Sequence, residues 1–467
     1  MGASEHREEE EMLYLRMFGA DLSADTVVRL AEWKAEIGRL LRPLVQPTLE
    51  TPAAILGVAT DMLSRRPRGP ESVVNVRATT VDGEVFTDGE SLLALRVVKV
   101  PHSEFRPRQA RPLTETSSEA QYGLDISWIG PCWDSPSLST VLSAVERVLG
   151  VVPSPFFYPS KRFGELKEEG RESPAPPSPD ELRASELLCD RDIRTLALAI
   201  KASGGLLVRD VPKQLPPEAR ERHDVLTESL KSAHLVDSEI VVVCSKTQAQ
   251  VTRAPSRELL SDLSLKGLKC ACGRSLIDER IEEALAITEL GRSLLDKARW
   301  LTLLVVRELE TVGVSRDAVL IEQTVGGDEI DCLANISGEL ALFELKDKEF
   351  NLGNAYSFGA KIGIIRPEHP VIVTTEHVGN DAKEHFVRAR SSGASRGEPE
   401  EPGEIEYIEG VQNLRKGVED LVSGIYRLDA IERLNKVFPL AALDGRSVID
   451  ALKHMQGRKV RVAEGAA

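Results

Sequence analysis

GGDEIDCLANISGELALFELKDKEF, residues 326–350, alternates apolar and polar residues on either side of Ser337-Gly338. That is the pattern of two half-buried strands joined by a two-residue turn. With the turn there, Ile336 faces Glu339, Leu333 faces Leu342 and Asp331 faces Glu344. Cβ atoms of directly opposed residues stand about 4.5–5.5 Å apart, so two unneutralised carboxylates repel. A divalent cation removes the conflict. Lys346 follows Glu344 by two residues and shares its face, whereas Ala341, Phe343 and Leu345 form an apolar face on the other side. Cys332 points away from Asp331 and reads as core. The same register sets Glu329 against Lys346, so the charges also fit an ordinary cross-strand ion pair worth about 0.2–1 kcal/mol.

Outward from this hairpin, strands and helices alternate. AVLIEQTV, EIDCLANI and ELALFELK read as strands, GNAYSFGAKIGII as a helix, VIVTTEHV as a strand, NDAKEHFVRAR as a helix, EIEYIEG as a strand and VQNLRKGVEDLVSGIYRL as a helix. Such an order predicts a mixed sheet covered by helices, interrupted by an exposed loop at SSGASRGEPEEPGE. The preceding stretch, from about Ser275 to Gly313, has helical apolar spacing and a glycine stop.

EID, twelve intervening residues, then ELK is similar to the motif of the PD-(D/E)xK nuclease superfamily, the restriction-endonuclease-like fold. The resemblance covers roughly residues 285–430 and includes the order of the elements that follow. It implies that Asp331 and Glu344 hold Mg²⁺ (or Mn²⁺), which stabilises phosphate charge and lowers the pKa of a bound water. It implies that Lys346 positions or activates that water. Many relatives add an acid from a helix before the sheet; here that position falls on Thr302, and Glu308 and Glu310 are nearby but out of phase, which leaves Glu308 as an accessory candidate. Some relatives place a glutamine or lysine on the helix after the lysine strand, for which Tyr356 and Lys361 are the candidates.

The chain has 467 residues, 42 % of them hydrophobic, and a formal net charge of -15. Several domains are expected at that length. The acidic balance argues against a general polyanion-coating protein but leaves room for a local basic surface. The first residues lack an apolar h-region and no uncharged apolar run reaches the ~18 residues of a membrane span, which predicts a soluble cytoplasmic protein without membrane contact. Six scattered cysteines are expected to be reduced thiols.

The fold class is read as multidomain α/β. Residues 1–164 form an N-terminal α+β region with two helical stretches and an Asp-Gly hairpin but no functional motif. Residues 165–183, with four prolines, read as a linker. Residues 184–243 resemble a winged helix-turn-helix, whose last helix would face a DNA groove, although acids offset the basic residues on that helix. Residues 244–274 resemble a zinc ribbon. Cys244 would open one knuckle, and Cys270 and Cys272, with Gly273, the other. Thr247 occupies the expected fourth ligand position; His223 and His234 are poorly placed substitutes, so a ribbon that has lost its Zn²⁺ is favoured over one that holds it. The segment carries Lys246, Arg253, Arg257, Lys266, Lys269 and Arg274 against Glu258 and Asp262, and is the better candidate for phosphate contact. The nuclease-like region spans 275–435, and 436–467 is read as a C-terminal helical tail.

No phosphate-binding GxxxxGK[ST] string occurs, so ATP hydrolysis is not expected. Two function classes remain. One is a metal-dependent DNA endonuclease, with restriction or antiviral defence as the setting by analogy and the N-terminal region recruiting a partner or a second copy. The other is a catalytically inactive nuclease-fold protein acting in DNA binding, sensing or assembly.

Overall fold

The computed structural model describes residues 12–43 except 24, 25, 27 and 28, 79–100, 121–155 except 134, 160–170, 175–394 except 326, 403–437, 445–450 and 452. It is a multidomain mixed α/β protein with three sheets.

The first sheet is antiparallel. Its elements are β1 (Tyr14–Leu22), α1 (Leu30–Leu40), β2 (Arg42–Pro43), β3 (Thr79–Thr87), β4 (Leu92–Val100), β5 (Gln121–Gly130), α2 (Pro136–Leu149) and β6 (Ser154–Pro155), with strand order β2-β3-β4-β5-β1-β6. The expected hairpin turns at Asp88-Gly89, where Gly89 has φ 94°, while Asp82-Gly83 sits at a bulge inside β3. Alternation sorts the two faces: Leu93 and Leu95 pack with Trp33, Ile37 and Val141 under α1 and α2, whereas Leu92 and Ala94 join a core shared with the C-terminal half.

Next come α3 (Lys161–Glu169), α4 (Pro179–Leu187), α5 (Arg191–Ser203), β7 (Leu206–Leu207), α6 (Val211–Gln214), α7 (His223–Ser232), β8 (Val236–Val243), β9 (Gln250–Ala254), α8 (Arg257–Leu265) and β10 (Arg280–Ile287). Helix reaches into both ends of the expected 165–183 linker; residues 171–174 lie outside the described residues. Ser178 and Glu181 close a capping box with Pro179 at the first helical position, so this part of the proline-rich stretch starts α4. α3 buries Phe163 and Leu166 against Leu320 and Leu342. The strands form a second antiparallel sheet, β7-β10-β8-β9. The helix expected from 275 onward is corrected here: Ile281, Ala284, Leu285 and Ile287 do carry helical spacing, but residues 280–287 pair along all of β8. Tertiary pairing overrides the local pattern.

The third sheet follows α9 (Glu289–Leu295) and α10 (Arg299–Thr311). It contains β11 (Val319–Val325), β12 (Asp328–Ile336), β13 (Glu339–Lys346), α11 (Leu352–Ile365), β14 (His369–Thr374), α12 (Asn380–Ala394) and β15 (Glu406–Glu409), and is followed by α13 (Leu414–Val437). Strand order is β11-β12-β13-β14-β15, antiparallel through β13 and parallel from β13 to β15. α12 takes the start of the expected loop at 391–404; residues 395–402 lie outside the described residues, as do 438–444, 451 and 453–467 of the expected tail, which is helical at 445–450 and 452. The turn residues Ser337 and Gly338 have φ 51° and 88°, the pair of positive values a tight type I′ hairpin requires. Phe343 and Leu345 pack toward α10 and α13, while Leu333 and Leu342 pack with Phe358 and Ile362 of α11. Among the described residues, no helix is long and apolar enough to cross a membrane.

Candidate functional site

The register of the β12–β13 hairpin runs from Ile336 opposite Glu339 to Cys332 opposite Phe343. One step further the strands part. The Leu345 N–H donates not to a β12 backbone carbonyl but to Oδ2 of Asp331, at 2.8 Å. Asp331 thus closes the ladder with its own carboxylate and is held beside Glu344. β13 continues alone against β14, Glu344 beside Ile372 and Lys346 beside Thr374.

Glu344 is 2 % exposed, and each of its oxygens meets a lysine. Lys346 Nζ lies 2.8 Å from Oε1 and 3.9 Å from Asp331 Oδ2. Lys361 Nζ donates to Oε2 at 2.6 Å from α11, the layer on that side of the sheet. Two carboxylates and two ammonium groups therefore converge where the sheet opens. Burial, then the charge of Glu344, pushes the Asp331 carboxyl up to about 6, against the pull of Lys346, the Leu345 N–H and Lys361. Burial works to lower the Lys346 pKa, but the Glu344 and Asp331 charges outweigh it and hold it above the ordinary lysine range. Lys346 is therefore an ammonium ion at neutral pH.

Of the accessory candidates, the structure brings in Lys361 and leaves out the others. Tyr356 is 60 % exposed and meets His385 edge to face, with ring centroids 4.5 Å apart. Glu308 is buried on α10, in the layer across the sheet, where Arg307 lies 2.8 Å from its carboxylate; Thr302 is buried on the same helix. Glu329 does not face Lys346 in an ion pair. It bonds Lys297 at 2.7 Å instead, both side chains being well exposed. Cys332 is fully buried on the opposite face, with its thiol pushed up to about 12 by burial.

An open cleft of about 480 Å³ lies beyond the C-terminal end of β14, lined by Arg191, Arg194, Thr375, Glu376 and His377 among others. The Thr375 N–H donates to the Lys346 carbonyl at 3.0 Å, which ties the cleft to the end of the lysine strand.

Cys244, Cys270 and Cys272 also meet, and the fourth group beside them is Glu279, at the entry to β10. Neither His223, which contacts the Arg220 carbonyl and Asp224, nor His234 belongs to this cluster. The spacing Cys-x-Cys-x₆-Glu is the signal in the sequence, with a carboxylate where a thiol or imidazole is the usual fourth group. Lys246, Arg253, Arg257, Lys266, Lys269 and Arg274 are all exposed. Arg253 is engaged, donating to the Gly204 carbonyl at 2.6 Å and lying 3.8 Å from Glu239.

No protein-family model matches the chain, and no curated protein does. Among solved structures, the crystal structure of protein VC1899 from Vibrio cholerae matches with 14 % identity and a TM-score of 0.26, over 54 % of this chain. The chain spans 57 % of that protein's length, and at such a TM-score the likeness carries no argument.

Proposed function

We propose that the chain is a metal-dependent nuclease of the PD-(D/E)xK type that hydrolyses DNA phosphodiester bonds. The observation that carries this reading is the convergence of Asp331, Glu344, Lys346 and Lys361 at the open end of the β12–β13 hairpin. Two carboxylates side by side are hard oxygen donors that suit Mg²⁺ or Mn²⁺. The perturbed Asp331 fits a group built to exchange a proton for such an ion. Asp331 and Glu344 would hold the cation, which when bound supplies charge stabilisation at the phosphate and a more acidic water.

Chain residues do the rest. The Leu345 N–H fixes one Asp331 oxygen and so the direction of its carboxylate. Lys361 fixes Glu344 from the helix side. Lys346, held as an ammonium by its neighbours, cannot accept a proton. Its role is to hydrogen-bond the attacking water or a phosphoryl oxygen and to offset developing negative charge. The exposed basic residues of 244–274 and Arg191 at the cleft provide backbone contacts for the duplex, and residues 184–243 would serve as a winged-helix module beside them.

A second reading rests on the same contacts. Both oxygens of Glu344 are already occupied by lysines, as in a structural ion cluster, which fits an inactive fold retained for DNA binding or assembly. The experiment is cleavage of plasmid and linear DNA in Mg²⁺ or Mn²⁺, beside Lys346→Ala. Loss of at least a hundredfold in the variant supports the nuclease. Cleavage persisting unchanged in it removes the site assignment, and intact DNA binding without cleavage by the parent under either metal favours the inactive reading.

A further inference from the structure

We propose that Cys244, Cys270, Cys272 and Glu279 form a three-thiolate, one-carboxylate site for Zn²⁺, with Glu279 as the fourth ligand. The four ligand atoms all lie within 4.8 Å of one another. Tetrahedral zinc with Zn–S bonds near 2.3 Å separates its ligands by about 3.8 Å, so the cluster is already drawn to nearly that size. Cys244, Cys270 and Glu279 are buried, and all three cysteines are free thiols.

Two turns present the sulfurs. In the first, the Gln248 N–H donates to the Cys244 carbonyl at 2.8 Å and the Thr247 N–H points at Cys244 Sγ at 3.4 Å. Thr247, which takes the place of a ligand in the sequence, thus contributes a backbone donor that would stabilise a thiolate. In the second, the Gly273 N–H donates to the Cys270 carbonyl at 2.8 Å, and Gly273 adopts φ 91°, which a side chain would resist. The two turns face each other as paired knuckles.

Glu279 is the telling residue. The residue is 6 % exposed, and its carboxylate accepts from the Cys272 thiol at 2.8 Å and the Ser245 N–H at 2.6 Å, with the Ser245 and Cys270 side chains also against it. Among the described residues no lysine or arginine lies within ion-pair reach of it. The donors that hold it include the cluster's own thiol, whose proton a metal displaces on binding, so the carboxylate is placed to meet the ion in that proton's stead. The Ser245 N–H would fix one oxygen and leave the other toward the sulfurs, the orienting arrangement common around ligating carboxylates. Three soft thiolates select zinc over Mg²⁺ or Ca²⁺, which separates this site chemically from the Asp331–Glu344 pair. Its effect would be to tie the β8–β9 turn to the head of β10 and hold the basic segment between them.

The test uses the full chain purified without chelator. Elemental analysis should find one zinc per chain after dialysis, unchanged in Asp331→Asn. Exchange with Co²⁺ should give the visible bands of a tetrahedral ion and near-ultraviolet thiolate charge transfer of three-sulfur intensity. Glu279→Ala should keep the charge transfer and bind Co²⁺ at least tenfold more weakly; Cys272→Ala should lose about a third of it. Should Glu279→Ala fail to fold, Glu279→Cys should raise the charge transfer to four-sulfur intensity. A metal-free protein that shows no charge transfer with added Co²⁺ overturns the site. Affinity in Glu279→Ala within twofold of the parent, or no gain of charge transfer in Glu279→Cys, overturns Glu279 as ligand.

Discussion

Replacing Lys361 with methionine removes the ammonium but keeps most of the side chain's apolar length. It leaves Oε2 of Glu344 without its 2.6 Å partner in a place where the glutamate side chain is 3 % exposed. Breaking a buried ion pair by deleting one member costs about 3–5 kcal/mol, mostly because the surviving charge is stranded. Lys346 still holds the other oxygen at 2.8 Å, so the lower end, about 3 kcal/mol, is expected. For a unit of 150–250 residues, where 1 kcal/mol moves the midpoint by about 2–4 °C, that is a drop of roughly 6–12 °C in the transition of the C-terminal sheet. Adding Glu344→Gln removes the stranded charge, so the double variant should recover most of the loss, with a coupling of about 2–3 kcal/mol across the cycle. Thermal melts of the four proteins in chelator measure this. Mn²⁺ should raise the midpoint of Lys361→Met more than that of the parent, since a cation replaces the missing charge. A single-variant cost below about 1 kcal/mol, or a double variant no better than the sum of the singles, refutes the claim that Lys361 neutralises Glu344.

Glu329→Gln should change stability by less than about 0.5 kcal/mol and leave cleavage within twofold, because its pair with Lys297 lies at the surface, the two side chains 41 % and 66 % exposed; a large loss of cleavage would restore the Glu329–Lys346 pairing. Mn²⁺ affinity, followed by titration calorimetry, should rise steeply between about pH 5 and pH 7, as the Asp331 carboxyl near 6 loses the proton that competes with the cation. In chelator the sign reverses. A raised carboxyl contributes stability that is complete below the ordinary carboxylate range and fades as pH rises through about 6, so the metal-free midpoint should fall over that window; a midpoint that climbs there contradicts the assigned shift. On the nuclease reading, short duplex DNA should tighten Mn²⁺ binding and lose that effect in Lys346→Ala, because two carboxylates and two ammonium groups already sum to zero and a cation needs an anion beside it.

The hairpin was legible because strand periodicity and turn chemistry agree on one register. A slip by one residue would move Phe343 and Leu345 to the other face and drive Glu344 into the apolar layer they leave, and only a turn tolerating positive φ at Ser337 and Gly338 joins the strands this tightly. Asp331, Glu344 and Lys346 follow from that register with no knowledge of the helices. Lys361 does not. It stands fifteen positions after Lys346 on α11, and which face of that helix meets the sheet is set by Phe358 and Ile362 packing on Leu333 and Leu342. Glu308 failed for the converse reason: sequence distance from the sheet says nothing about which layer α10 joins, and Trp300 and Leu304 commit it to the far one.

The same gap hid Glu279. Read as the entry to a helix, it had no reason to turn toward the cysteines; as the residue before β10, it is delivered to Cys272 by the pairing of Arg280 with Val243, directly before Cys244. In both sites the residues that local periodicity could place were those on one strand or turn, and the residue that completes the chemistry arrived from a second element through long-range packing. Lys361 also changes what the opposed carboxylates mean. Repulsion between Asp331 and Glu344 by itself would demand a cation, but Glu344 meets a lysine at each oxygen, at 2.8 and 2.6 Å, while the nearest lysine to Asp331 stands 3.9 Å away, so Asp331 is the less compensated by contact. The demand for a cation is therefore local to Asp331, on the open side of the hairpin where the strands part, and Glu344 is the ligand held ready by its lysines.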